Sequence, residues 1–457
     1  MSPKPAPPNV LVFFTDQQRW DTLGCYGQPL PVTPHLDRLA EEGVLFERAF
    51  TPQAVCGPAR ACLQTGRYAT ETGCFRNGIA LPSEERTLAH YFSQAGYEVG
   101  YIGKWHLSCN RRAGDPNSDD TRAPVPPHRR GGYKDFWLAS DVLEHTSHGY
   151  DGYVYDADGN KVEFPPNRYR VDCLTDYAID YLRSRRGDKP FFLFISYLEP
   201  HFQNDHLRFE GPIGSQERFR DYTVPGDLLG TQGDWRENYP DYLGCCHSLD
   251  ENLGRLRSTL QELGQADRTL IAFTSDHGCH FRTRNREYKR SCHEASIRIP
   301  MILHGPGFLG GRVVSPMVSL IDLPPTLLSA AGLTPPATMR GRPLQDLLAG
   351  RAANWPDDIF VQLSEDHIGR AIRTDRWKYA VVTPGLKGSQ VPTSDRFVEA
   401  YLYDLEADPH ERNNLVADVS LAAVRAELAG RLKAWMVRVE GIEAVILPAP
   451  AVNQRQP

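Results

Sequence analysis

Blocks of like charge, long apolar runs, internal repeats and Cys-x-x-Cys pairs are all missing from this 457-residue chain. Each absence removes a class of protein. Lys and Arg number 51 against 57 Asp and Glu, a formal net charge of -6, and neither sign gathers into a stretch that would make a polyanion-binding arm, so no nucleic-acid partner is expected. The first apolar segment, "NVLVFF" at 9–14, is too short for a secretory h-region or a membrane span. No membrane partner is expected either, and the expected location is the cytoplasm unless an export segment has been trimmed. Ten cysteines, at 25, 56, 62, 74, 109, 173, 245, 246, 279 and 292, lack the spacing of a disulfide scaffold, which points to reduced thiols. HExxH is absent as well, which argues against a protease-type zinc site.

What is there reads as a loop-rich globular enzyme: 38 Gly and 36 Pro without any period. "NVLVFF" is the continuous, β-branched run of a strand buried on both faces of a parallel sheet. "TPHLDRLAEEG" then reads as a helix with Thr33 as N-cap and Pro34 at N1. The alternation recurs: "TLAHYFSQAG" into "YEVGYIG", "DCLTDYAIDYLRSR" into "PFFLFISYL", and "YLGCCHSLDENLGRLRSTLQELG" into "TLIAFTSDHG". The expected fold class is α/β, a large doubly wound, mainly parallel sheet with helices on both faces. Short alternating strands and the amphipathic "SLAAVRAELAGRLKAWMVRVEG" predict a smaller antiparallel sheet with one helix at the end. The expected division is a catalytic domain over 1–350 and a subdomain over 351–457.

In doubly wound sheets ligands bind at the carboxyl ends of the strands. Those ends carry Asp16 and Gln17, Lys104 and His106 in "GKWHLS", His201 in "EPHF", and Asp276 and His277 in "SDHG". A lone Asp there is most often a turn residue, and a lone His an ordinary surface group. Four such ends in one chain make that reading of all of them untenable. Two carboxylates, an amide oxygen and one imidazole suit a hard divalent ion, Ca²⁺ or Mg²⁺, with Mn²⁺ left open by the imidazole; Ca²⁺ is the expected ion.

"CGPAR" at 56–60 brings these residues together. It resembles the Cys-x-Pro-x-Arg signature of type I sulfatases, formylglycine-dependent members of the alkaline-phosphatase-like superfamily. "GKWHLS", "EPHF", "FTSDHG", "YKRSCHEASIRIPMILHGPG" and "YLYDLEADPHERNNL" follow in that family's order. The resemblance implies that Cys56 is oxidised by a formylglycine-generating enzyme to Cα-formylglycine, whose hydrate attacks sulfur and later collapses to expel sulfate. It implies that Asp16, Gln17, Asp276, His277 and the modified Cys56 hold the metal. Arg60 would steady the formylglycine oxygens, Lys104 and His106 would assist hydrate positioning and elimination, and Lys289 and His201 would contact sulfate and bridge oxygen. His201 is expected to be the general acid because imidazole titrates near neutral pH.

Two departures stand out. Gln17 replaces a common second Asp and is similar to the set in choline-sulfatase-like enzymes and phosphonate monoester hydrolases. His293 stands where the family commonly has Tyr in K-x-x-x-Y-E, and is expected, with Asn77, to contact substrate. The expected activity is sulfate monoester hydrolysis on a carbohydrate or small organic sulfate. A phosphonate or phosphate ester hydrolase and a non-catalytic anion-binding protein are the alternatives, and homo-oligomer formation is left open. The polar, aromatic-rich stretch 108–170 suits a sugar; Asp141, His145 and His148 in it are candidates to line such a pocket, though surface solvation is the commoner fate of each.

Overall fold

The computed structural model describes residues 6–449 other than 112–114, 116–117, 188 and 352–354. A ten-stranded sheet forms its centre. In chain order its strands are β1 (Asn9–Thr15), β2 (Val44–Phe46), β3 (Glu98–Lys104), β4 (Phe136–Ser140), β5 (Tyr153–Tyr155), β6 (Lys161–Glu163), β7 (Phe191–Ser196), β8 (Thr269–Ser275), β9 (Met301–His304) and β10 (Arg312–Val314). They lie in the order β10-β2-β9-β8-β1-β7-β3-β4-β5-β6. The run β8-β1-β7-β3-β4 is parallel throughout, while β9, β5 and β6 join antiparallel. Strand β1 is central because each of its residues can be buried on both faces: Val10, Val12 and Phe14 enter one core, Leu11 and Phe13 the other.

Helices cover both faces, among them α1 (Pro34–Glu42), α2 (Cys56–Thr65), α3 (Leu88–Gln94), α4 (Arg170–Ser184) and α5 (Trp235–Glu262). Thr33 precedes α1 as expected but does not cap it with its side chain. The free amides of His35 and Leu36 are taken instead by the Asp250 carboxylate of α5, at 3.1 and 2.7 Å. A tertiary acceptor has replaced the local one. Stretch 108–170, read from sequence as a long insertion, supplies three of the sheet's strands, β4 to β6.

A second sheet has five strands, β11 (Asp358–Leu363), β12 (Gly369–Thr374), β13 (Trp377–Val382), β14 (Arg396–Asp404) and β15 (Val445–Leu447). It is antiparallel except for its last pair, β14 and β15, which run parallel. Helix α6 (Ala422–Glu440) buries Leu428, Leu432, Met436 and Val439 against it. Among the described residues no helix is long and apolar enough to cross a membrane.

Fully buried Lys378 of β13 ties this sheet to the first, its Nζ 2.8 Å from Glu294 and 2.5 Å from Glu411. Glu411 pairs with this ammonium, and Glu294 shares it with Arg373. Truncating one partner of a buried ion pair costs about 3–5 kcal/mol, because the other charge is left uncompensated. Lys378→Ala is therefore expected to lower unfolding stability by about that much in denaturant titrations. A loss below about 1 kcal/mol would show that the carboxylates find other partners.

Candidate active site

The parallel register brings the chemistry together. Thr15 pairs with Ser275, so Asp16 and Asp276 leave adjacent strands side by side, and Lys104 ends β3 two strands away. Gly103 lets β3 finish there: its φ is +99°, and a Cβ on it would stand 2.0 Å from the Ser196 carbonyl oxygen. Cys56 is the first residue of α2, whose ten residues are all buried, so the positive end of that helix faces the strand ends.

Four ligand-type side chains converge there, Asp16, Cys56, Asp276 and His277, with one donor atom of each lying within 4.8 Å of the others. Cys56 Sγ is 3.4 Å from Asp16 Oδ1 and 3.2 Å from His277 Nε2. His277 Nδ1 donates to the Gly278 carbonyl at 2.9 Å, which leaves the Nε2 lone pair for the cluster. Gln17 Nε2 donates to Cys279 Sγ at 3.5 Å, so its carbonyl oxygen is the end available to a cation. Asp276 Oδ2 is buried and has no hydrogen-bond partner among the described residues. Burial, and then the neighbouring Asp16 charge, raise the Asp276 pKa to about 7. Two facing carboxylates, a spare buried oxygen, an oriented imidazole and an amide oxygen fit a divalent cation.

Asp16 is the hub of the charge network. Arg60 Nη2 donates to its Oδ2 at 2.9 Å and Lys104 Nζ at 2.8 Å. Burial works against this carboxylate, but Lys104, His201 and Arg60 hold its pKa well below the usual range. Arg60 also donates to Ser196 Oγ and to the Lys104 carbonyl, so its guanidinium steadies Asp16 and, among the described contacts, makes no direct bond to Cys56. His106 is half-buried with φ +58° and an unpartnered Nδ1. Gln17 (φ +68°) and Arg290 (φ +67°) share that left-handed conformation; three such residues around one cluster mark strain held at a working site.

Lys289 enters from the other side. Its Nζ is 2.9 Å from Cys56 Sγ and 3.1 Å from His201 Nε2. His201 Nδ1 donates to the Phe202 carbonyl at 2.6 Å, so Nε2 accepts from the ammonium. Burial, then Lys289, push the His201 pKa down to about 3. The sequence-based ground for making His201 the acid, titration near neutrality, is thus lost here. The proton of this pair sits on Lys289. Burial, then Asp16, raise the Cys56 thiol to about 12, which disfavours a thiolate nucleophile.

The two expected substrate contacts also make bonds within the fold. Asn77 Oδ1 accepts the Gly57 amide at 2.9 Å, holding the start of α2, and the backbone N–H of Asn77 donates to Glu365. His293 packs against Tyr401 and Tyr403 of β14, with Nε2 3.1 Å from the Tyr403 hydroxyl. Asp141 accepts the amides of Leu107, Ser108 and Cys109, fixing the turn after His106, and His145 bonds Thr121. One residue was overlooked: Glu144, whose Oε1 is 3.1 Å from Lys104 Nζ. It lies just beyond β4, and reading "FWLAS" as a strand would have brought it under the strand-end rule.

An α/β sheet with anion-neutralising cations and a buried acidic cluster at its carboxyl edge defines a hydrolase of the alkaline-phosphatase-like class. The sulfatase family profile matches residues 8–333, and the chain belongs to that family; it is a sulfuric ester hydrolase. A profile described as N-sulphoglucosamine sulphohydrolase, C-terminal, matches 286–438. An ulvan-active sulfatase of Formosa agariphila is 31% identical over 94% of this chain and 81% of its own length. An N-acetylglucosamine-6-O-sulfatase of Bacteroides thetaiotaomicron is 25% identical over 92% and 85%. The crystal structure of the phosphonate monoester hydrolase of Agrobacterium radiobacter superposes with a TM-score of 0.71 at 26% identity, covering 94% of this chain and 96% of that one.

Because Glu144 sets the Lys104 ammonium that in turn holds Asp16, Glu144→Gln is expected to lower kcat/KM and divalent-cation affinity about tenfold, the lower end for outer-sphere changes at metal sites. Cation titration alongside steady-state kinetics checks this. Unchanged values for both would make the Lys104–Glu144 pair purely structural.

Proposed function

We propose that this sulfatase removes sulfate from carbohydrate esters, using Cys56 in its oxidised form and one calcium ion. The observation that carries this reading is the convergence of Lys289 on both Cys56 and His201, beside the acidic cluster and next to a polar cavity of about 920 Å³. Arg76, Asn77, Asn110, Arg111, Arg290 and Glu365 are among its walls. Asn77 bonds the Gly57 amide and Arg290 follows Lys289 in the chain, so two of the walls neighbour the charged centre, although none of the catalytic cluster lines the cavity. Charged and amide groups on several sides suit a hydroxylated ligand, and the volume lies at the upper end of ordinary ligand sites. The sugar sulfatases among its relatives support the same substrate class.

Hydrated as formylglycine, Cys56 would supply a strong oxygen nucleophile, and Asp16, Gln17, Asp276 and His277 would hold a cation able to neutralise charge on the sulfate oxygens. Arg60 and Lys104 keep Asp16 ionised and fixed. Lys289 neutralises the sulfate and carries at Nζ the proton for the departing alkoxide, with His201 Nε2 accepting from that ammonium and positioning it. His106, strained and with a free nitrogen, is placed to move a proton during elimination. Ten unpaired cysteines support a reducing compartment, consistent with the cytoplasm.

Peptide mass analysis of segment 48–67, after expression with a formylglycine-generating enzyme, is expected to show the aldehyde in place of the Cys56 thiol. Fully active enzyme with an unmodified thiol would overturn the mechanism. On paired aryl substrates the sulfate is expected to be preferred; a clear preference for the phosphonate would instead favour the activity of the Agrobacterium relative. His201→Ala is expected to slow alkyl sulfates by about 10²-fold or more, the range of acid–base catalysis, and to spare nitrophenyl sulfate. Equal losses on both would refute the leaving-group role.

A further inference from the structure

Away from the catalytic cluster, a second group of metal-ligating side chains gathers where the loop after β4 meets the segment after His201. His148, Asp205 and His206 place one donor atom each within 4.8 Å of one another. His148 Nε2 is 3.0 Å from Asp205 Oδ2. That is a hydrogen bond in the ion-free structure; two ligands each about 2.1 Å from one ion stand about 3–3.4 Å apart, so a cation that displaces the shared proton requires little movement of this pair.

The outer shell strengthens the case. His148 Nδ1 bonds Asp151 Oδ1 at 2.8 Å, and His206 Nδ1 bonds Glu210 Oε1 at 2.5 Å. A carboxylate behind each imidazole is the arrangement that fixes the tautomer with hydrogen on Nδ1 and raises the basicity of Nε2. The two rings are stacked, 4.0 Å between centroids and 12° between planes. A chance surface ion pair explains one histidine between two acids; it does not explain a second, stacked on the first and backed by an acid of its own. Asp205 and His206 are exposed and His148 is partly so, which gives an ion access, leaves water to complete its shell, and lets the His206 ring turn toward it.

We propose that His148, Asp205 and His206 form a second cation site, separate from the catalytic one, for a borderline divalent ion of the zinc class. Two imidazoles with one carboxylate select such an ion over calcium, which prefers oxygen ligands alone. An ion here would clamp the 146–152 loop to the wall of the active site. Gln203 Nε2 donates to both Asp205 Oδ1 and the Glu144 carbonyl, so the clamp adjoins the residue that orients Lys104 and lies close in sequence to His201.

Equilibrium dialysis of the calcium-saturated full chain against Zn²⁺ tests the proposal. The wild type is expected to bind one more zinc equivalent than His148→Ala/His206→Ala, and Asp151→Asn is expected to bind it about tenfold more weakly. Asp16→Asn, which disables the catalytic cluster, is expected to keep this equivalent. Zinc should also raise the melting temperature of the wild type and not of the double variant. Circular dichroism and calcium binding verify that the double variant is folded, and His206→Ala alone serves if it is not. Equal zinc stoichiometry and affinity in wild type and folded variants, or loss of the equivalent in Asp16→Asn, would overturn the proposal.

Discussion

A carboxylate with no exposure to solvent, Asp16, is the constraint around which the rest of the structure is arranged. Taking such an ion out of water costs several kcal/mol, recovered only through well-placed charges and hydrogen bonds. Arg60 and Lys104 supply both on one oxygen, Oδ2, leaving Oδ1 turned toward Cys56 and His277. Each counter-ion is itself buried and must be held: Arg60 by Ser196 and a backbone carbonyl, Lys104 by Glu144. Four parallel strands and one helix start have to meet at one edge for this to work. The sheet topology is thus a solution to an electrostatic problem as well as to the burial of apolar residues.

That hub explains which parts of the site are legible in the sequence. A buried parallel strand announces itself as an apolar run, and the polar residue that ends it is conspicuous, so Asp16, Lys104 and Asp276 can be read off. Glu144 cannot, because β4 is short and sits inside a stretch whose polarity reads as loop. Roles are less legible than positions. Asn77 and His293 lie close in sequence to site residues, yet one binds the backbone of α2 and the other packs on β14. Spacing along a chain says nothing about the direction of a side chain. The same limit applied to Thr33, whose local capping role went to Asp250 across the fold.

The five-stranded sheet has a part in this as well. Glu294 follows Lys289 on the short segment that closes the site, and its carboxylate is pinned by Lys378 and Arg373 of the second sheet. The neighbouring Glu411 accepts from the Glu294 amide and from the same lysine. A segment that must hold an ammonium against a sulfur atom cannot drift by an ångström without loss of function. The smaller sheet therefore contributes to catalytic geometry through buried charge while donating no group to the reacting atoms.

The depressed His201 and the elevated Cys56 have one common origin, the desolvation of the centre. A dry, cation-rich pocket holds imidazole neutral and could lower a thiol only if positive charge outweighed burial, and Asp16 tips that balance the other way. Without a bound cation the Cys56 thiol is thereby held protonated in the place best furnished for attack on an anionic ester. A hydroxyl is intrinsically less acidic than a thiol, so an oxygen nucleophile at the same position depends all the more on the positive charge and neutral imidazole gathered there.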